Sequence, residues 1–219
     1  MIKRSLWLLP EGAPLERLER KEREFNMRRA EILKQAEKVF ATKGFHNVTV
    51  AEIASASGFS IGSLYQFFEG KENLYTTMIS EKLDLMYAEI RKATNATKDI
   101  TGKIEALVNA HLQFIEKNKD FCRLFIKGEN AALSEAMTSL RQKLIDDYFK
   151  HITFIENLLK DGIKKDVLRA LPPHEMAEAL FHLIRASSIE WMLVPTKEPL
   201  FSKKELIMDI FLNGVKKYD

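Results

Sequence analysis

Apolar positions recur every three to four residues along most of the chain, the period of a helix with one buried face. No stretch alternates with the period of two that marks a half-buried strand. From about Phe25 to Lys43, Ile32, Leu33, Ala36, Val39 and Phe40 share a face, and Gly44 supplies a stop. Thr49-Val50-Ala51-Glu52 is a capping box that opens a second, short helix ended by Gly58. Ser60 caps a third, Ile61 to about Phe68, and Gly70 separates it from a fourth, Lys71 to about Ala93. Longer helices are predicted beyond the polar spacer, at about 100–118, 121–127, 131–161 with Gly162 as its stop, 173–194 between prolines, and 202–217 behind a capping box at Ser202 to Glu205. The pattern predicts an all-α protein. It divides into a charged N-terminal arm (1–23), a three-helix helix-turn-helix unit (24–70) and a larger helical domain (71–219).

Composition narrows the class. With 46% apolar residues, only nine glycines and six prolines, the chain can pack a core, which excludes a disordered protein. Cys122 has no partner for an internal disulfide and lies in an apolar stretch, so a buried thiol in a reducing compartment is expected. The apolar run at the start ends at Pro10, too short for a secretory leader, and no later run reaches the length of a membrane span. A cytoplasmic protein is expected. The net charge of +3 and pI near 8.8 accommodate a polyanionic partner without demanding one.

The spacing around Gly58 carries more information. Ala54 is small where two helices would cross closely, and Gly58 permits the turn. With Leu64 set inward and about 100° per residue, Ile61, Phe67 and Phe68 fall on the buried side. Gly62 and Gln66 then point outward, flanked by Ser63 and Tyr65. Such a face is small, polar and flat enough for a major groove: Gln pairs with adenine in two bonds, Ser bonds to base edges or phosphate, and Gly lets the backbone approach. Tyr65 offers a ring and a hydroxyl. Lys71 stands as a point charge for phosphate, and Thr49 offers its hydroxyl and free N–H groups to another.

Thr49-Val50-Ala51-Glu52-Ile53-Ala54, followed by Gly58 through Leu74, resembles the TetR family of bacterial repressors. The resemblance implies a homodimer that binds a palindromic double-stranded DNA operator and leaves it when a small molecule enters the second domain. It places operator contacts on Thr49, Ser60, Gly62, Ser63, Tyr65, Gln66 and Lys71. Three residues depart from the family pattern: Val48 where a second Thr is common, Ile61 where a basic residue is common, and Phe67 where Tyr or His often reaches phosphate.

Two faces remain to be assigned in the second domain. Leu180, Phe181, Ile184 and Ser188, with Ile207, Ile210 and Phe211, form apolar stripes on the last two long helices. These stripes either complete the monomer core or bury against a second copy, and the resemblance favours a dimer. Phe114, Phe121, Phe125, Tyr148, Phe149, Phe154 and Trp191 either fill the core or line a pocket for an apolar or aromatic effector. His46, His111, His151, His174 and His182 form no i,i+4 metal pair, and Gly70-Lys71-Glu72 lacks a phosphate-binding loop. A regulator without cofactor, metal or enzymatic activity is expected. The alternative is a helical interaction protein whose helix-turn-helix no longer reads DNA.

Overall fold

The computed structural model describes residues 15–126, 135–194 and 196–215. Among these residues the chain is helical and contains no strand: α1 (Leu15–Lys43), α2 (Val50–Ser57), α3 (Ile61–Tyr65), α4 (Lys71–Ala96), α5 (Ile100–Lys117), α6 (Lys119–Ile126), α7 (Glu135–Lys164), α8 (Pro173–Leu193) and α9 (Lys204–Val215), the last entered through a 3-10 turn, Leu200–Lys203. No described helix is long and apolar enough to cross a membrane.

Several boundaries differ from the sequence expectation, each for a physical reason. The later part of the expected arm is helix continuous with α1, because Glu, Arg and Lys are good helix formers and pair at i,i+4, as Arg20 does with Glu24 at 3.7 Å. Residues 131–134, the expected start of the seventh helix, lie outside the described residues. Ser202 does not cap α9: its hydroxyl donates to the Pro199 carbonyl at 2.8 Å, and residues 200–203 wind as a 3-10 turn. Helix α7 does not stop at Gly162. It runs to Lys164, and Asp166 takes the left-handed conformation (φ 57°), with Val167 N–H bonded back to the Gly162 carbonyl at 3.0 Å.

Gly162 serves packing instead. A Cβ there would lie 2.6 Å from Leu168 Cδ1 and 2.9 Å from Ile100 Cγ2, so the missing side chain lets the end of α7 press against the start of α5.

A single cluster of buried side chains runs through both parts of the molecule. Helix α4 belongs to both. Arg29 of α1 forms a two-bond ion pair with Glu81 (3.0 and 2.5 Å), and Lys82 reaches Glu37 of α1 at 2.9 Å. One turn later Asp84 accepts from Lys143 of α7 at 2.8 Å. Leu74, Met78 and Leu83 pack along its buried side, whereas Leu85 is exposed.

Gly162→Ala is expected to destabilise the protein by roughly 1–3 kcal/mol in urea unfolding, because the added methyl overpacks the α5–α7 contact. Helix propensity alone predicts the opposite sign, a gain of up to about 1 kcal/mol; a gain would refute the packing account.

Candidate nucleic-acid interface

The turn between α2 and α3 is built as the sequence implies. Thr49 caps α2 with the full capping box, Gly58 adopts φ 73°, and Ile53, Ala54 and Leu64 are buried at the crossing. Helix α3 is only five residues long. Its end tightens, with Gln66 N–H bonded to Ser63 O (3.2 Å) and Phe67 N–H to Leu64 O (3.0 Å). Gly62, Tyr65 and Gln66 face solvent, and Ser63 is half-buried. Ile61 does not face inward: it is 47% exposed. So short a helix packs on α2 along a narrow arc around Leu64, and a residue about 60° away falls outside it. Phe68 is buried, and Phe67 is held half-buried by the ring of Phe25 at 4.6 Å, a contact across about forty residues that periodicity did not reveal.

Hydrogen bonds within the head already engage part of the predicted contact set. Thr49 Oγ1 donates to Glu52 Oε2 (3.0 Å) and accepts from Glu52 N–H (3.2 Å), so its hydroxyl hydrogen is used internally, against the expectation that it is free. Lys43, 2.6 Å away, and the Thr49 groups hold the Glu52 carboxyl down at about 2. Ser60 and Ser63 share a hydrogen bond (2.8 Å), leaving one free hydroxyl hydrogen between them. Lys71 Nζ donates to the Phe45 carbonyl (3.0 Å) and sits 4.5 Å over the Phe45 ring. The ammonium thereby joins the start of α4 to the loop before α2. Gly62 has room: an added Cβ would meet only Ser60 Oγ, at 4.0 Å.

The second domain rearranges the other candidates. Leu180, Ile184 and Ser188 of α8 and Ile207 and Phe211 of α9 are buried inside the single chain, and Phe181 is half-buried. Of the residues expected at the dimer face, Ile210 is the one exposed, at 50%. Five helices converge on α5, so the inner faces of α8 and α9 complete the core, as the competing assignment held. Among the pocket candidates, Phe114, Phe121 and Trp191 are core residues, and Trp191 Nε1 donates to Glu198 O at 2.8 Å. Phe149 is exposed, Tyr148 is half-buried against Phe181, and the Phe125 side chain lies outside the described residues. A cavity of about 670 Å³ lies elsewhere, where Lys38 and Thr42 of α1 face Arg123 of α6 and Leu193 of α8.

One polar cluster escaped the sequence reading. His111 of α5 and His151 of α7, forty positions apart, meet at 2.9 Å between their Nε2 atoms, and both are buried. His111 Nδ1 is 2.8 Å from the Leu107 carbonyl. The available signal was that His111 continues the apolar stripe of Ile104, Leu107 and Val108. Burial drives His111 down to about 4 and His151 to about 2, the latter helped by His111 and by Arg91 of α4. Tyr87 of α4 and Phe154 and Phe181 close the surroundings. No group of three or more His, Cys, Asp or Glu able to hold a metal occurs among the described residues.

Comparison with known proteins agrees with this architecture. Residues 32–78 match the description "Bacterial regulatory proteins, tetR family", and residues 79–214 match "YsiA-like protein, C-terminal region". The HTH-type transcriptional repressor KstR2 of Rhodococcus jostii is 34% identical over 173 residues, 78% of this chain and 80% of that protein. The HTH-type transcriptional activator FasR of Mycolicibacterium smegmatis is 32% identical over 53% of this chain, which spans 52% of that relative's length. The structure of the regulator FadR from Bacillus subtilis in complex with stearoyl-CoA superposes with a TM-score of 0.73, covering 84% of this chain and 98% of that one at 18% identity, a likeness of fold.

The histidine pair makes an acid prediction. Both rings titrate lower folded than unfolded (about 6.5), so the unfolded chain binds more protons and stability falls as pH drops from 6.5 towards 4. Arg91 of α4 is the cation whose charge bears on His151. Thermal unfolding should show stability falling by up to about 1.4 kcal/mol per pH unit for each histidine between pH 6.5 and 5. The double variant His111→Leu/His151→Leu should flatten this slope; an unchanged slope would refute the assignment.

Proposed function

The chain belongs to the TetR family of bacterial regulatory proteins, and from that premise we propose a ligand-responsive repressor that binds a palindromic double-stranded operator as a homodimer. A small, mainly apolar effector entering the domain of residues 71–219 releases it. The observation that carries the reading is the face of α3: Gly62, Tyr65 and Gln66 are exposed, and a Cβ at Gly62 would meet almost nothing of the protein.

On this reading α3 lies in the major groove. Gln66 bonds to an adenine edge, Tyr65 and the exposed Ile61 pack on thymine methyls, and the free hydroxyl hydrogen of the Ser60–Ser63 pair reaches a base or phosphate. The backbone N–H groups at the start of α2, beside Thr49, receive a phosphate, while Lys71 adds positive charge nearby. Repression rather than activation follows the longer match, to the Rhodococcus repressor.

The dimer is assigned to the outward sides of α8 and α9. Leu206 and Ile210 are 55% and 50% exposed and form one stripe with Gly214, and α8 likewise exposes the small residues Ala179 and Ala186. A second copy covers this stripe in an arrangement of paired helices.

Gly62→Ala is expected to fold at least as stably as the parent yet lose operator affinity in a mobility-shift titration, because the methyl meets open space in the protein and a base edge in the groove. Gln66→Ala should cost roughly 1–3 kcal/mol at one or two base positions only. Undiminished, sequence-indifferent binding by both variants would refute the α3 reading.

Leu206→Glu/Ile210→Glu should leave helix content intact, since both residues are exposed, and give monomers in sedimentation with operator affinity lost in parallel. Persistence of a dimer would refute this interface.

A further inference from the structure

The hydrogens of the histidine pair can be placed from its partners alone. The Leu107 carbonyl only accepts, so His111 Nδ1 carries a hydrogen and, in the neutral ring, His111 Nε2 is a bare acceptor. His151 Nε2 must therefore donate to it. The remaining nitrogen, His151 Nδ1, is a lone pair; it is buried in a residue of 0% exposure and has no hydrogen-bond partner.

Proteins seldom retain such an atom, because a buried acceptor without a donor forfeits the hydrogen bonds it had in water. Two leucines would fill the same space without that cost. His151 also stands where the second domain converges: Tyr87 of α4 lies 4.7 Å from its ring, Phe181 of α8 5.8 Å, and Phe154 of α7 6.3 Å, while His111 belongs to α5.

We propose that His151 Nδ1 is the polar anchor of the effector site, accepting a hydrogen bond from a neutral donor group on an otherwise apolar effector that packs among Tyr87, Phe154 and Phe181. This rests on the reading of residues 71–219 as an effector domain. The aromatic walls select an apolar body, and the lone pair selects a hydroxyl or N–H over a carbonyl or ether, which would set acceptor against acceptor. Because the rings already pack on His151, a ligand reaches Nδ1 by displacing one of them. Tyr87 stands on α4, three residues beyond the Asp84–Lys143 ion pair and on the same helix as Lys71, so its displacement moves the element that carries the head.

The test compares two isomers of equal size and nearly equal hydrophobicity, decanol, which donates, and methyl nonyl ether, which only accepts. Binding to the full chain is read by Trp191 and Trp7 fluorescence and thermal shift, and operator affinity by mobility shift with each ligand at saturation. Wild type should prefer decanol by roughly 10-fold or more and lose operator affinity when it binds. His151→Phe, which keeps an aromatic ring but no acceptor, should bind both isomers alike, and His151→Gln, which restores an acceptor carbonyl, should recover part of the preference. Equal binding of the isomers to wild type, or saturation by neither, overturns the anchor. Selective decanol binding that leaves operator affinity unchanged overturns instead the effector reading beneath it.

Discussion

Everything in this molecule depends on α4 being one unbroken helix shared by two packed units. Its buried stripe, from Leu74 and Tyr75 to Ile90 and Thr94, is continuous, so the head and the larger domain have one core between them rather than two cores and a linker. The ion pairs reinforce this geometry. Glu81 and Lys82 are bound to α1, and Asp84 to α7, within a single turn of helix. The Glu81 and Asp84 pairs are exposed and add little stability, and the Lys82–Glu37 pair is part-buried, but the positions of all three fix which parts move together. A rotation of α4 cannot leave the head behind, because Lys71 holds the carbonyl of Phe45 at its first residue.

The head itself is economical with polar groups. Thr49, Ser60 and Ser63, all candidate DNA contacts, spend hydrogen bonds on capping α2 and α3. A five-residue helix has no propensity to stand alone, and its caps together with Leu64 and Phe68 are what hold it. At Thr49, Ser60 and Ser63 the candidate contacts are therefore also part of the scaffold. Recognition in the proposed reading falls instead to the outward side chains and open backbone at Gly62, Tyr65 and Gln66, joined by the exposed Ile61. The second domain presents the opposite arrangement, an apolar bundle that retains a buried histidine pair where hydrocarbon would pack at least as well.

Much of this was legible in the sequence. Local signals determined the helices and the turn: the capping box at Thr49, the stop at Gly58 and the period-3.6 stripes placed the helix-turn-helix residues because each signal acts within a few residues of chain. The outward position of Gly62 and Gln66 followed from helical geometry around Leu64. Tertiary packing decided the rest. Whether Ile184 and Phe211 meet the same chain or a second one depends on which neighbours surround α8 and α9, and periodicity reports only that a face is apolar. Ile61 turned outward because α3 packs mainly on the short α2, along the arc around Leu64. Asp166 displaced Gly162 as the helix stop because Leu168 and Ile100 needed the space a glycine leaves. His111 and His151 became a pair only when α5 and α7 crossed, since forty residues of sequence carry no record of a 2.9 Å contact formed in space.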